Sequence, residues 1–412
     1  MHDTLPSPMD AILVRQPIFN PKGLVWGYEV QTRGEAPLDL GRMTDPEAAL
    51  RRLTADILSQ PLTESAPVLM LRLEPGVVAT GVPPILACER TVLLVDEALE
   101  PSAEMIHTLR GLRLEGYRLA LDDYDDRAGA EEFFRLADMV CCELPIHGEN
   151  SLAPPPGKAK AQSKLILARG ILHHAQFAEA KALGYSLFQG DFFKSPDIRP
   201  DIPLSSHAAS RLRLFQLIES EDMELEPLAQ AISADVAISY RLLTLLNSAA
   251  FGLGRKVSSI REALLLAGWT AVKNWLRVVI LADMRAPDKT AELAMLAAQR
   301  GRFLENLARV VPGAPAPDRL FLLGLFSLLD ALLDRPMSEI LGHLPLDQDL
   351  KSVLSGQDIS PANWLAIAQS FEAGVWDRLD QEVAAIGVEP FVAAKLYYDA
   401  LAWASEIFQP MG

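Results

Sequence analysis

Cysteine is scarce: Cys88, Cys141 and Cys142 are the only three in 412 residues. They cannot build a disulfide framework, and no CxxC or Cys/His metal spacing accompanies them. Positive charge is also short, with 38 Lys+Arg against 54 Asp+Glu and a formal net charge of -16. Nucleic-acid binding works through a basic stripe that releases counterions, so this balance argues against a nucleic-acid partner. Long apolar runs are missing too. The richest, Leu320 to Leu333, is interrupted by Gly324, Ser327 and Asp330 and is too short to span a bilayer. The opening MHDTLPSPMDAILV has no cationic segment followed by a long apolar stretch, so no signal peptide is expected. The expectation is a cytoplasmic protein without a membrane span.

What is present is enough for packed cores. Half of the residues are apolar and only 22% are charged, which argues for globular packing rather than disorder. At roughly 150 residues per domain the chain holds two or three domains. Up to about Pro196, short β-rich runs alternate with helical stretches. AILVRQPIF and LVWGYEVQTR are separated by the turn signal Asn20-Pro21-Lys22-Gly23. Asp45 and Pro46 mark a helix start. VLMLRL, TVLLVDEAL, YRLALDDY, MVCCEL and KLILARGI read as further strands, and YSLFQGDFF closes the half. Helices are expected around Pro101 to Leu114, Gly129 to Ala137 and His174 to Leu183. Nearly continuous apolar strands between helices indicate a mainly parallel, covered sheet, and so many repeats favour a barrel.

Pro196 to Ser206 is Pro-rich and polar, the best domain boundary. Beyond it the period changes to that of helices. Leu225, Leu228, Ala229 and Ile232 share one helical face, and Asp235 can cap a second helix that ends at Asn247-Ser248. Similar patterns cover Ile260 to Leu266, Trp269 to Ala282, Glu292 to Val311, Arg319 to Leu333 and Pro390 to Phe408. The second half is expected to be all-α.

Four segments in the first half, RQPIF, GYEVQTR, LALDDY and LGYSLFQGDFFKSP, carry a resemblance in their order and spacing. The half resembles the EAL family of cyclic di-GMP phosphodiesterase domains. The second half resembles HDOD domains through ISADVAISYRLLTLLNSAAFG, VSSIREALLLAGWTAVKNWL and LGLFSLLD. The resemblance implies a TIM-like α/β barrel over 1–200 followed by an all-helical HDOD bundle over 201–412.

EAL enzymes as a family hold two divalent metals through carboxylates and an Asn, and the pair clamps the nucleophile and the phosphate oxygens. Oxygen-rich ligands suit Mg²⁺ or Mn²⁺. By position, Glu29 matches the signature Glu, and Asp122 and Asp123 match the Asp pair. The other positions depart. The Asn falls near Leu71 or Arg72, a Glu falls on Leu94, the Lys falls on Cys141, and two further Glu positions read Arg169 and Leu172. A guanidinium at Arg169 stands where a metal belongs and repels a dication. Hydrolysis is therefore not expected, and no cofactor with it. Glu29, Asp122 and Asp123 are the metal remnant, with Mg²⁺ or Mn²⁺ as the alternative.

Gln16, Arg33, Asp122 and Gln189 fall on positions that in the family line the nucleotide site. Arg33 can grip a phosphate bidentately. Plainer readings stand beside these: Asp122 to Asp126 as an acidic loop capping the next helix, Glu29 as the salt-bridge partner of Arg33 or another mouth residue, Cys141 and Cys142 as packed strand residues. His173-His174 lacks the carboxylates of a metal site. Pro154, Pro155, Pro156 and Gly157 forbid a helix for at least half of Ser151 to Lys164, which would leave a barrel flank open to a partner.

In the second half, Ser327 and Leu328 occupy the position of the His-Asp pair of HD phosphohydrolases, as is normal for HDOD. Asn247 either bonds backbone at a tight corner or presents a binding edge together with Arg255 and Lys256. Arg241, Arg255, Lys256 and Arg261 form a local basic cluster, either a solvated face or an anion site. The expected function is a non-enzymatic adaptor of bacterial signal transduction acting through protein–protein interaction. The alternatives are a cyclic di-GMP receptor without hydrolysis and a residual metal-dependent phosphodiesterase. The expected partners are signalling proteins, with a homodimer and cyclic di-GMP as further candidates.

Overall fold

The computed structural model describes residues 13–32, 67–72, 87–96, 101–124, 131–144, 152–198, 206–219, 232, 238, 240–242, 269–284, 291–342, 344, 346–357 and 364–408. Contacts divide the chain into two compact units, 1–195 with 362–402 and 196–361 with 403–412.

The first unit contains a closed eight-stranded barrel: β1 (Leu13–Phe19), β2 (Val25–Thr32), β3 (Val68–Arg72), β4 (Thr91–Asp96), β5 (Arg118–Asp122), β6 (Met139–Glu143), β7 (Leu165–Arg169) and β8 (Leu187–Gln189). β2 to β8 run parallel, whereas β1 is antiparallel to both β2 and β8. The reason is local. Asn20 Oδ1 accepts the backbone N–H groups of Lys22 (2.8 Å) and Leu24 (3.1 Å), and Gly23 takes the left-handed φ of 74° that a tight reversal needs. The first two strands therefore form a hairpin. Helices α1 (Ala103–Leu114), α2 (Glu131–Leu136), α3 (Gly157–Ala161) and α4 (His174–Leu183) cross between later strands. Ser102 caps α1 by accepting Met105 N–H at 3.1 Å.

Strand side chains alternate between faces, and Ile18, Met70, Leu94, Ala120, Cys141 and Leu167 point into one apolar interior cluster. Burying each large aliphatic side chain here stabilises the barrel by roughly 1.5–3 kcal/mol.

The Pro-rich segment is free of helix over 152–156, as expected, but does not leave the flank open. Residues 152–156 are extended, as the prolines require, but α3 follows, and Leu152, Pro155 and Ala159 are buried. Lys158 and Lys164 lay their ammonium groups over the Phe134 ring at 5.1 and 4.6 Å. Chain therefore covers the flank that was expected to be open.

The sequence division at residue 200 also changes. The junction falls at 195/196, and 362–402 groups with the barrel instead of the helical unit. This return comprises α12 (Trp364–Ala373), α13 (Trp376–Ala385) and the start of α14 (Pro390–Phe408). α12 packs on β1 and α13, and Phe371 stacks on Tyr397 with centroids 4.7 Å apart.

The second unit holds α5 (Ser206–Glu219), α6 (Trp269–Met284), α7 (Ala291–Val310), α8 (Pro317–Phe326), α9 (Leu329–Leu333), α10 (Met337–Gly342) and α11 (Gln348–Leu354). The helix expected over Arg319 to Leu333 is two helices. Ser327 Oγ donates to Gly324 O at 2.7 Å, a local bond that competes with the helical ladder, and the helix restarts at Leu329. α7 and α8 cross at glycines: a Cβ on Gly324 would lie 2.5 Å from the Arg300 carbonyl carbon. The expected helices at Asp45, around Leu225 to Leu246 and at Ile260 lie outside the described residues, isolated positions excepted. No described helix is long and apolar enough to cross a membrane.

Candidate functional site

The barrel's interior is apolar until the last inward position of each strand. Two residues beyond Met70, Leu94, Ala120 and Leu167 stand Arg72, Asp96, Asp122 and Arg169, and the period of two places them on the same inner face at the mouth. Gln189 follows Leu187 in the same way on β8. Glu29 comes from β2, level with Gln16 on β1 and Met70 on β3.

Arg169 organises the mouth. Its Nη2 donates to Glu29 Oε2 at 2.9 Å, and its Nη1 donates to Asp122 Oδ1. Gln189 Nε2 adds a second bond to Glu29 Oε2, at 2.8 Å. Arg72 pairs with the other oxygen of Asp122 and reaches Asp96 Oδ2 at 3.4 Å. The centre of this is deep, with Glu29 4% exposed, Asp122 2% and Arg169 8%, while the Arg72 and Asp96 side chains stand 35% and 42% exposed at the rim. Burial alone would lower the Arg169 pKa. The surrounding negative charge, with Glu29, Glu143 and Asp123 among its sources, outweighs it, and the guanidinium is held above its ordinary value. Its Nε finds no hydrogen-bond partner.

A dication does not fit this donor set. Glu29 and Asp122 already neutralise one guanidinium, and Asp122 a second. Cys141 lies beneath them, and burial pushes its thiol up to about 12, so it stays protonated and is no ligand. Among the described residues no group of three or more His, Cys, Asp or Glu is placed to hold a metal ion. Glu143, at the end of β6, is raised above the usual carboxylate range by burial.

Several sequence candidates are thereby located. Glu29 and Asp122 converge on Arg169, and Gln189 joins them through Glu29. Asp122 is a buried ion-pair residue, not part of a solvated capping loop. Asp123 is exposed at a left-handed φ of 47°. Gln16 is engaged elsewhere: its Nε2 donates to the Glu372 carbonyl at 3.4 Å, and Gln31 donates to its Oε1 at 3.3 Å. Arg33, Asn247, Arg255 and Lys256 lie outside the described residues. Arg241 of the expected basic cluster holds Asp283 bidentately at 3.0 and 2.7 Å, and Arg211 shares the same carboxylate at 3.2 Å. His173 caps α4, and His174 Nε2 lies 3.1 Å from Ser195 O. Sequence reasoning missed Arg72 as an ion-pair partner. The signal was its spacing of two from buried Met70.

In the second unit, Arg300 Nη1 donates to Ser327 Oγ at 2.9 Å, where the sequence comparison lost its His-Asp pair. A larger network surrounds Arg277, which is fully buried. It grips Glu219 through two 2.7 Å bonds, pairs with Asp318 and donates to Asn274 at 2.8 Å, tying α5, α6 and α8 together.

Comparison with known proteins matches the second half to a family. Residues 204–333 match the HDOD domain, so this part of the chain is an HDOD domain. Two relatives extend over nearly the whole length. The uncharacterized protein YuxH of Bacillus subtilis (strain 168) is 26% identical over 406 residues, 96% of this chain and 98% of YuxH. The cyclic di-GMP phosphodiesterase CdgJ of Vibrio cholerae serotype O1 is 25% identical over 400 residues, 96% of this chain and 92% of CdgJ. Among solved structures, an EAL domain protein from Listeria monocytogenes EGD-e matches 44% of this chain and 87% of its own, at 14% identity and a TM-score of 0.33. The chain thus joins a closed eight-stranded barrel to a segment that matches the HDOD domain.

Proposed function

We propose that this chain is a non-enzymatic adaptor of bacterial signal transduction, cytoplasmic and working through protein–protein contact, in which arginines replace the metals of an EAL-like barrel. The observation that carries the reading is Arg169 lying between Glu29 and Asp122. A hydrolytic metal site lowers the pKa of bound water and clamps the phosphate oxygens. A guanidinium supplies positive charge but keeps its protons, so it generates no hydroxide. Glu29 and Asp122 both accept from Arg169, so the guanidinium stands between the two carboxylates that a metal would need.

A receptor that binds cyclic di-GMP without cleaving it is the second reading. Arg72 favours it: its side chain is 35% exposed at the mouth, where a phosphate can reach it. Hydrolysis, suggested by the name of the CdgJ relative, requires Glu29 and Asp122 to release Arg169 and, together with Asp123, to take Mg²⁺ or Mn²⁺. Signalling proteins are the proposed partners, and self-association is the second candidate. Calorimetry with cyclic di-GMP separates adaptor from receptor, and a co-purified signalling protein supports the first. Metal-dependent turnover of the dinucleotide overturns both.

A further inference from the structure

The barrel mouth has a cover supplied by the chain itself. α12 returns to the barrel unit from far along the sequence, and its end meets the β1–β2–β8 side of the mouth at three points. The Glu372 carboxylate pairs with Lys194 Nζ at 3.2 Å, just after β8. The Glu372 carbonyl accepts from Gln16 Nε2 at 3.4 Å. Gly374, at a left-handed φ of 66°, sits so close that an added Cβ would lie 3.0 Å from Gln31 Oε1 and 3.7 Å from Val14 Cγ2.

The attachment is uneven. Within the returning segment the packing is apolar, with Trp364, Ile367 and Phe371 buried and Phe371 stacked on Tyr397. Against the mouth, its contacts among the described residues include one ion pair, one long hydrogen bond and a glycine contact. Such a joint opens at a lower free energy than the core on either side of it. Barrel and cover are also joined through sequence that bears the HDOD domain: the chain leaves the barrel unit after residue 195 and rejoins it at 362.

We propose that residues 364–374 form an intramolecular cover that occupies Gln16, Gln31 and Lys194, and that its release through the HDOD-bearing stretch exposes this side of the mouth for recognition. The proposal rests on the mouth being a recognition surface, as argued above. Lys194 also pairs with Asp191 at 2.8 Å, so the test exchanges charges instead of only deleting them. In the full chain, Lys194→Glu and Glu372→Lys should each raise amide hydrogen exchange in 364–374 and at the N-terminal end of β1 about ten-fold. The double exchange should restore protection, while the β5–β7 strands stay unchanged throughout. Gly374→Ala provides a second route. Strain at its positive φ and the crowding of Gln31 should loosen the same segment with the ion pair intact. Protection of 364–374 equal to that of β5–β7, or unaltered by either single charge variant or by Gly374→Ala, overturns the cover. Exchange alone decides it; titration of the same variants with cyclic di-GMP reports separately on the nucleotide reading.

Discussion

Removing the Arg169 guanidinium gives the sharpest energetic test of the mouth. In Arg169→Met, Glu29 and Asp122 remain buried at 4% and 2% exposure without the cation between them. Breaking a buried ion pair by deleting one partner costs about 3–5 kcal/mol, because the remaining charge has lost water and partner alike. Two contacts soften the loss: Gln189 still donates to Glu29 at 2.8 Å, and Arg72 still pairs with Asp122. The lower end applies, about 3 kcal/mol. The chain has two units, so a single unfolding midpoint does not isolate the barrel. Native-state hydrogen exchange of β2, β5 and β7 amides does, and 3 kcal/mol there corresponds to roughly hundredfold faster exchange. The triple variant Arg169→Met, Glu29→Gln, Asp122→Asn removes the charges together and should return to within about 1 kcal/mol of the native chain. If the single variant loses less than about 1 kcal/mol, or the triple is as unstable as the single, charge compensation is not what holds the mouth.

Other outcomes follow from the same geometry. Gly324→Ala places a Cβ 2.5 Å from the Arg300 backbone and should destabilise the second unit by about 1–3 kcal/mol, read as earlier thermal unfolding of its helices. Iodoacetamide should label half-buried Cys88 first and leave Cys141, whose thiol burial raises to about 12, unmodified until the barrel unfolds. Burial would raise the Asp318 carboxyl, but hydrogen bonds from Arg277 and its charge prevail and hold it below 3.8. With a folded pKa below the unfolded one, its stabilisation is present at neutral pH and disappears as pH falls through the folded value. The stability difference between the native chain and Asp318→Asn should therefore be constant near neutrality and shrink below pH 3.8.

Much of the barrel was legible because its strands are short apolar runs with punctuated ends. TVLLVDEAL contains β4, His174–Leu183 is α4 residue for residue, and the Asn20–Gly23 turn makes the β1–β2 hairpin. The position of Arg169 was legible from its place in ARGIL, and the two carboxylates that it joins were both singled out. Arg72 was not, because its spacing of two from Met70 gives the face it occupies but not its partner on β5, two strands away. Gln16 was assigned to a nucleotide set by position alone, while its partner Glu372 lies 356 residues further on. Nothing local signals such a return. The segment 337–385 gave no expected helices; α10 and α11 span only 6 and 7 residues and carry little periodic signal, whereas α12 and α13, with 10 residues each, were missed despite their length.

The most direct test is a hydrolysis assay on the full chain with cyclic di-GMP, in Mg²⁺ and separately in Mn²⁺, followed by chromatography of the linear dinucleotide product. The arginine-filled mouth predicts no product above a protein-free control with either metal. Metal-dependent turnover that disappears in Glu29→Gln would contradict the account, since it would require Glu29 to hold a metal where the structure has it holding Arg169.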